Sequence, residues 1–447
     1  MRAAETLTKP ARHAMLACIT RVTYVEVASV KDLMVASIPV FDKYKEVQGY
    51  YLSYQIGNAL IEGGKSYSLE NSTESPFFQL MNEIGLDALT GGKLIFLPVT
   101  SVFLATGFEK DCQVEASSVV LLLNSESHLS GKLLDRLIEV RGRGFKVALK
   151  KYASLDSIKP VLPHTDYVFC ENETEDIMPL LGVIKRAFSP AKVIVTEVNS
   201  NRKFDMLSAF NVELFEGQFY REAIVQKEHR VSPLKINYLQ LLNQVSQEDF
   251  ELDKFAGIVQ RDTALALQFL RMVNSSSVRS SAITSLRHAA ALLGQKEIKK
   301  WVTTAVTTSL AQESPGEITR LSMLRAKFCE NLAGLFEMAI HKDNLFLMGL
   351  FSVLDVVLET SMERALQMVF VPENVKTALL NGGNDFGVVY NFVKSYELGD
   401  WTEISLAALT GKLSINDIAA AYREALAWYG HMISMQISED DIDMDGE

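Results

Sequence analysis

Short apolar runs alternate with helix-like or polar stretches from about residue 34 to residue 225. One helix-like stretch carries its apolar residues on a single face, with Leu133, Leu137 and Ile138 on one stripe. Alternating strands and helices predict βαβ units, and therefore a parallel sheet that is either open or closed into a barrel. Six of the runs have the aliphatic and aromatic composition of β-strands, and they are Leu94 to Val99, Ser118 to Leu123, Lys146 to Leu149, Tyr167 to Cys170, Val193 to Val198 and Val212 to Phe215.

The pattern changes to continuous helical periodicity after Pro233 and stays helical to about Tyr429. In one of these helices Ser285 is a suitable N-terminal cap and Gly294 a suitable end. The first half is short for a complete (β/α)₈ barrel, which takes about 250 residues. We therefore predict an α/β plus all-α protein, with a shortened TIM-like barrel followed by a helical domain.

These changes in pattern divide the chain into four parts. A charged stretch before Pro233 marks the linker between the two large parts, and the last ten residues are acidic with no core-forming pattern. The predicted parts are an N-terminal extension over residues 1–33, the barrel over residues 34–225, the helical domain over residues 232–430 and an acidic tail over residues 431–447.

Composition and charge narrow the class of protein. Hydrophobic residues make up 48% and charged residues 22% of the 447 residues, as in globular domains. The net charge of −11 argues against a nucleic-acid partner. The longest apolar stretch, Leu345 to Leu358, is too short to span a membrane, and the four cysteines lie too far apart for a zinc site. We expect a cytoplasmic protein without membrane contact and without a cofactor.

Several passages resemble a family of bacterial signalling proteins that joins an EAL domain, named for the cyclic di-GMP phosphodiesterases, to an HDOD domain, the HD-related output domain. The first half resembles the EAL part in VASIPVFDKYKEVQGYYLSYQ from Val35, taken as an opening strand, loop and helix, in GFKVALKKY from Gly144 and in FEGQFY from Phe215. The second half resembles HDOD passages in RDTALALQFLRMVNSSS, ITSLRHAAALLGQKEIKKW, NLFLMGLFSVLDVVLETSM and YELGDWTEI. The resemblance implies a barrel of the EAL type followed by an HDOD domain.

The same resemblance implies that the EAL domain is degenerate. Active members bind divalent cations through carboxylate and amide oxygens at the carboxyl ends of the barrel strands. Tyr51 lies where the glutamate that names the motif is expected, and Lys150 and Lys151 lie where a pair of aspartates is expected. The other changed positions are Phe169 for a catalytic lysine, Asn199 for a late glutamate and Glu216 for a glutamine. Two lysines would repel a dication.

The helical domain shows a similar change. HD phosphohydrolases hold metals with a His-Asp pair after a Gly-Leu motif. Here Ser352 and Val353 lie at those positions. From both changes we predict that the chain is not an enzyme.

The function predicted from the sequence is therefore a non-catalytic scaffold or regulator of signal transduction that binds other signalling proteins, its phosphodiesterase activity having been lost. The alternative is a sensor that binds cyclic di-GMP or another nucleotide without hydrolysing it. Arg325, Phe328 and Trp401 are candidate partner contacts, because arginine and aromatic side chains dominate protein interfaces. A homodimer is left open.

Overall fold

The structure is a computed structural model that describes residues 33–440. Within that range the description leaves out residues 59, 61–79, 82–84, 107, 109–113, 125–130, 151–157, 172–176, 187–189, 211, 224–232, 247–249, 261–262, 276–282, 284 and 311–315. Three predictions therefore fall wholly or largely outside it: the N-terminal extension up to residue 32, the site residue Lys151, and residues 441–447 of the acidic tail.

The barrel begins with an antiparallel hairpin. Strand β1 (Leu33–Asp42) pairs with β2 (Val47–Ile56) through a tight turn in which Lys45 has a φ of 65°. The resemblance suggested a strand, a loop and a helix here, and the helix is wrong. The sequence VQGYYLSYQI contains three tyrosines, a valine and an isoleucine, residue types that favour a strand.

The remaining strands close the sheet into an eight-stranded barrel in chain order. Strands β2 to β8 run parallel, whereas β1 is antiparallel to both of its neighbours. The strands are β3 (Leu94–Val99), β4 (Val119–Asn124), β5 (Lys146–Lys150), β6 (Tyr167–Glu171), β7 (Lys192–Thr196) and β8 (Leu214–Glu216). The helices of this half are α1 (Leu86–Thr90), α2 (Ser101–Leu104), α3 (Gly131–Gly142), α4 (Ile177–Arg186) and α5 (Asn201–Ser208).

The barrel is short in sequence, as predicted, and it still has all eight strands. It saves residues because β1 and β2 are joined by a turn and because α2 and α5 are short. The predicted strand β3 has the observed bounds, and the others start or end within about two residues of them. Strand β7 ends earlier than predicted because Glu197 adopts a left-handed φ of 60°, which a strand does not accept.

The second half is helical, as predicted. Ser285 caps its helix by accepting a hydrogen bond from the amide of His288 at 3.3 Å, and Gly294 ends it with a φ of 81°. The predicted acidic tail is helical up to Asp440, because α18 continues through residues 431–440. The helices are α6 (Pro233–Ser246), α7 (Leu252–Val259), α8 (Thr263–Ser275), α9 (Leu286–Leu293), α10 (Gln295–Leu310), α11 (Gly316–Leu332), α12 (Lys342–Phe351), α13 (Leu354–Val357), α14 (Met362–Met368), α15 (Glu373–Asn381), α16 (Asp385–Glu397), α17 (Trp401–Gly411) and α18 (Ile415–Asp440).

The hairpin connects the two halves. Strand β1 pairs with β8 only over Val40–Asp42, and β2 pairs with β3 only from Gly49 to Tyr51. The other ends of both strands therefore extend past the carboxyl ends of the parallel strands. The extension of β1 contacts α16 and α18, with Leu33, Met34 and Val35 at most 1% exposed. The helical half thus meets the barrel on the side of its carboxyl-end opening.

Across the described residues, each helix is either too short or too polar to cross a membrane.

Candidate functional site

A lysine and two aromatic rings meet at the carboxyl-end opening of the barrel. Lys150 ends β5, and its ammonium group lies 4.1 Å from the centre of the Tyr51 ring and 5.7 Å from that of Phe169. The two ring centres are 6.1 Å apart. A cation over aromatic faces at these distances is a cation–π contact. The structure therefore brings three of the predicted site residues together.

A packed apolar core lies below this opening. Phe96 on β3 makes edge-to-face contacts with Phe169 and with Tyr167, at 5.6 Å and 5.1 Å between ring centres. Side chains from alternate positions of the strands fill the rest of the interior, as in other closed barrels. The buried members of this core are Val40, Phe96, Val120, Leu122, Ala148, Phe169, Ile194 and Leu214.

Glu216 ends β8 at the same opening. Burial raises the pKa of its carboxyl group above the usual value, and the positive charge of Lys150 opposes that shift. The carboxylate accepts a hydrogen bond from the amide of Glu197 at 3.4 Å. Asn199 lies on the same loop after β7, and its side-chain oxygen accepts from the amide of Gln218 at 3.2 Å. Asn199 and Glu216 therefore both belong to this opening.

Glycine 217 fixes the close contact between the loop after β7 and the end of β8. Its φ is +148°, and a Cβ atom added there would lie 2.2 Å from the carbonyl oxygen of Val198. The backbones are joined by hydrogen bonds from Val198 N to Glu216 O at 3.0 Å and from Phe219 N to Val198 O at 3.1 Å. Only glycine allows two backbones to approach so closely.

The candidate site in the helical half surrounds Ser352. The Ser352 hydroxyl donates to the carbonyl oxygen of Gly349 at 2.6 Å and accepts from Arg325 Nη1 at 3.0 Å. Val353 beside it is 3% exposed. Gly349 lets α12 lie directly on α11, because an added Cβ atom would come within 2.5 Å of the Arg325 backbone. Ser352 and Val353 are therefore both core residues of this half.

Glu397, at the end of α16, joins the two halves through two arginines. Its carboxylate accepts hydrogen bonds from Arg325 Nε and Nη2, each at 2.8 Å, and lies 3.3 Å from Arg221 Nη1. Arg325 belongs to α11, whereas Arg221 follows the last strand of the barrel. Burial lowers the pKa of Arg325, but the Glu397 carboxylate and the neighbouring Tyr390 and Tyr220 side chains together raise it above its usual value, so the group stays charged.

A second buried charge cluster also joins the halves. Tyr50 of β2 donates a 2.5 Å hydrogen bond to Glu317 of α11, and Arg320 lies 3.2 Å from the other oxygen of that carboxylate. Arg320 also stacks 4.4 Å above the Tyr50 ring and donates to the carbonyl oxygen of Leu89 at 3.0 Å. Burial raises the pKa of Glu317, and Arg320 opposes the shift.

The structure corrects two of the predicted partner contacts. Arg325 and Phe328 are 5% and 1% exposed, and a side chain buried in the protein interior does not contact a partner. Arg325 is bound by Glu397, and Phe328 packs on Tyr396 at 5.0 Å between ring centres. Trp401 is half-buried and donates to the Ser53 hydroxyl at 3.0 Å, which makes it a contact between the halves.

Sequence reasoning missed Arg221, Glu317, Arg320 and Glu397. Glu397 lies in the YELGDWTEI passage, and Arg221 follows FEGQFY directly, so both adjoin passages already singled out. Their burial depends on how the halves pack, which periodicity along one element does not encode. In the described part of the chain, no group of three or more histidine, cysteine, aspartate or glutamate side chains is arranged to hold a metal ion.

The family model of the HDOD domain matches residues 232–373. The helical half therefore contains an HDOD domain. Helices α16, α17 and α18 follow the matched residues. Helices α16 and α18 pack against α11, and α17 packs against α16. The match covers the Gly349 to Val353 stretch and Arg325, whereas Glu397 and Trp401 come after it.

Two curated proteins are similar to the chain over both halves. It is 25% identical over 406 residues to the uncharacterized protein YuxH of Bacillus subtilis, covering 89% of this chain and 98% of the relative. It is 26% identical over 300 residues to the cyclic di-GMP phosphodiesterase CdgJ of Vibrio cholerae, covering 66% of this chain and 69% of the relative.

Similar solved structures are EAL domains. One is the EAL domain of FimX from Pseudomonas aeruginosa bound to c-di-GMP, with a TM-score of 0.34 and 14% identity over 48% of this chain and 96% of that one. Another is an EAL domain protein from Listeria monocytogenes, with a TM-score of 0.34 and 13% identity over 42% and 87%. The predicted resemblance to HDOD proteins is confirmed by the family model, and the fold of a barrel followed by a helical domain is confirmed by the structure.

The comparison with CdgJ corrects one prediction. That relative is named a cyclic di-GMP phosphodiesterase, which contradicts the prediction that this chain is not an enzyme. The prediction was drawn from the side chains at the positions where the family's metal-binding and catalytic residues are expected.

Proposed function

We propose that the chain works in cyclic di-GMP signalling by binding other signalling proteins through its helical half. The observation that carries the proposal is a set of exposed apolar side chains on and beside α16 and α17, two helices that pack against each other. Val388 on α16 is 56% exposed, Leu398 directly after α16 is 45%, and Leu406 and Leu409 on α17 are 46% and 40%. Large apolar side chains left in water on neighbouring helices are typical of surfaces that bind other proteins.

The arrangement along α17 supports this interpretation. Ile404, Ser405 and Ala408 face the protein interior, while Leu406 and Leu409 lie three residues apart on the outer face. An outer helix face normally carries polar residues. The relationship to CdgJ of V. cholerae supports the link to cyclic di-GMP.

The test is a comparison of proteins captured from the source bacterium by the full-length chain and by a Leu406→Glu, Leu409→Glu variant. Ile340→Glu is the matched control, because Ile340 is apolar and 89% exposed but lies outside α16 and α17. We expect the control to retain the same partners and the double variant to lose them. Capture of the same proteins by all three forms would contradict the proposal.

Recognition of a cyclic dinucleotide at the barrel opening is a second candidate function. The observation that favours it is the Lys150 ammonium beside the faces of Tyr51 and Phe169. Aromatic faces stack on nucleobases and an ammonium group attracts phosphate, so the three side chains are suited to a nucleotide.

Calorimetric titration with cyclic di-GMP tests this second candidate. We expect saturable binding that Lys150→Met weakens by about tenfold or more, since a lost charge contact to phosphate is worth about 1.4 kcal/mol or more. Lys146→Met is the matched control, because Lys146 starts the same strand at the opposite end of the barrel. Assaying the same samples with Mg²⁺ or Mn²⁺ for the linear product shows whether recognition is followed by hydrolysis. Equal heats for all three proteins would exclude the opening as the binding site.

A further inference from the structure

The Glu397 carboxylate connects side chains that belong to two separate candidate sites. On one side it binds Arg221, which follows the end of β8 at the barrel opening. On the other side it binds Arg325, which donates to the Ser352 hydroxyl in the core of the HDOD domain. A continuous series of polar contacts therefore runs from the barrel opening to the centre of the helical half.

The barrel side of this series is tightly constrained. Residues 216–221 are held against the loop after β7 by the two backbone hydrogen bonds between Val198 and this segment. Gly217 has no space for any larger side chain. Arg221 Nε also donates to the Tyr220 hydroxyl at 2.8 Å. The backbone between Glu216 and Arg221 therefore has little freedom to adjust, and a rearrangement at Glu216 moves Arg221 as well.

The helical side is constrained in the same way. The Arg325 backbone lies against Gly349, and its guanidinium contacts both Glu397 and Ser352. The side chains of Arg325 and Glu397 are 5% and 10% exposed, and that of Arg221 is 17% exposed. Water screens charges weakly at such sites, so a change in one ion pair alters the other.

We propose that Glu397 is a coupling residue, which passes rearrangements of residues 216–221 at the barrel opening to the HDOD core around Ser352. The coupling is reciprocal, because a free-energy link between two sites acts equally in both directions. This inference goes beyond the proposed function, since it concerns how the two halves communicate and holds for any ligand or partner.

Hydrogen exchange followed by mass spectrometry tests the coupling in the full-length protein. Arg221→Gln removes the barrel-side charge and changes no residue of the helical half. We expect amides of residues 349–355 to exchange about tenfold faster in this variant, because the Arg325 contacts loosen when Glu397 loses one of its partners. Arg141→Gln is the matched control. Arg141 forms a two-point ion pair with Asp166 elsewhere on the barrel, at 2.6 Å and 3.1 Å, and its loss should leave residues 349–355 unchanged.

The same measurement in a Glu397→Gln background decides whether Glu397 carries the effect. We expect Arg221→Gln to add less than about a twofold change there. An equal effect of Arg221→Gln in both backgrounds, or no effect in either, would overturn the proposal. If Glu397→Gln does not fold, Ser352→Ala gives the reverse test. It should speed exchange of residues 217–222, and unchanged exchange of that segment would refute the coupling.

Discussion

At the scale of single residues, the barrel opening is defined by charges that are partly removed from water. Lys150 keeps its ammonium group on aromatic faces, and Glu216 keeps its carboxyl group against the amide of Glu197. The two side chains influence each other electrostatically, because the charge of Lys150 lowers the pKa of Glu216 while burial raises it. Burial is the larger influence, so the carboxyl group binds its proton more tightly in the folded protein than in the unfolded chain.

This shift makes stability depend on pH in a definite direction. A native state that binds more protons than the unfolded state loses stability as pH rises. The contribution of Glu216 is therefore complete below its ordinary pKa of 4.5 and is lost as pH rises through the raised value. The Glu216→Gln variant lacks this titrating group, so this loss should be absent. Its melting temperature at neutral pH, relative to its melting temperature at pH 4, should therefore be higher than in the wild type. Glu213→Gln, at an exposed site next to the same strand, should follow the wild-type pH profile. Parallel profiles for wild type and Glu216→Gln would contradict the assignment.

At the scale of elements, strands with uniform apolar composition were predictable, and elements shaped by packing were not. The residues of β3 alone predict a strand. Strands β1 and β2 form a hairpin because they pair with each other. The sequence did predict which residues lie at the barrel opening. The sequence did not predict the buried charges of Arg221, Glu317, Arg320 and Glu397. A charged side chain is expected at the surface unless its partner on another element is known.

The close contact between the end of β8 and the loop after β7 depends on a single residue, Gly217. Gly217→Ala should destabilise the fold by about 2 to 4 kcal/mol, because the new Cβ atom would overlap the Val198 backbone at a φ that alanine avoids. Gly131→Ala is the control, since Gly131 starts α3 and an added Cβ atom there meets nothing within 4 Å. Urea denaturation measures both, and a Gly217→Ala midpoint equal to that of Gly131→Ala would show that the close contact is not needed.

At the scale of the whole molecule, the buried charges make the barrel and the helical half depend on each other. Glu317 and Arg320 lie on α11, but they are completed by Tyr50 and by the Leu89 carbonyl from the barrel half. If the halves separated, both charges would be exposed to water together with the apolar end of β1. The wild-type chain should therefore unfold in a single calorimetric transition.

Arg320→Met tests this dependence, because it leaves the Glu317 carboxylate buried without its cation. Removing one partner of a buried ion pair costs about 3 to 5 kcal/mol, since the remaining charge stays desolvated. We expect a lower melting temperature and two resolved transitions in scanning calorimetry, as the barrel and the helical half unfold separately. Arg143→Met removes an arginine from an exposed pair with Glu139 and should change neither the temperature nor the shape of the transition. A single unshifted transition for Arg320→Met would mean that the contact between the halves is held by the apolar end of β1 rather than by the charges.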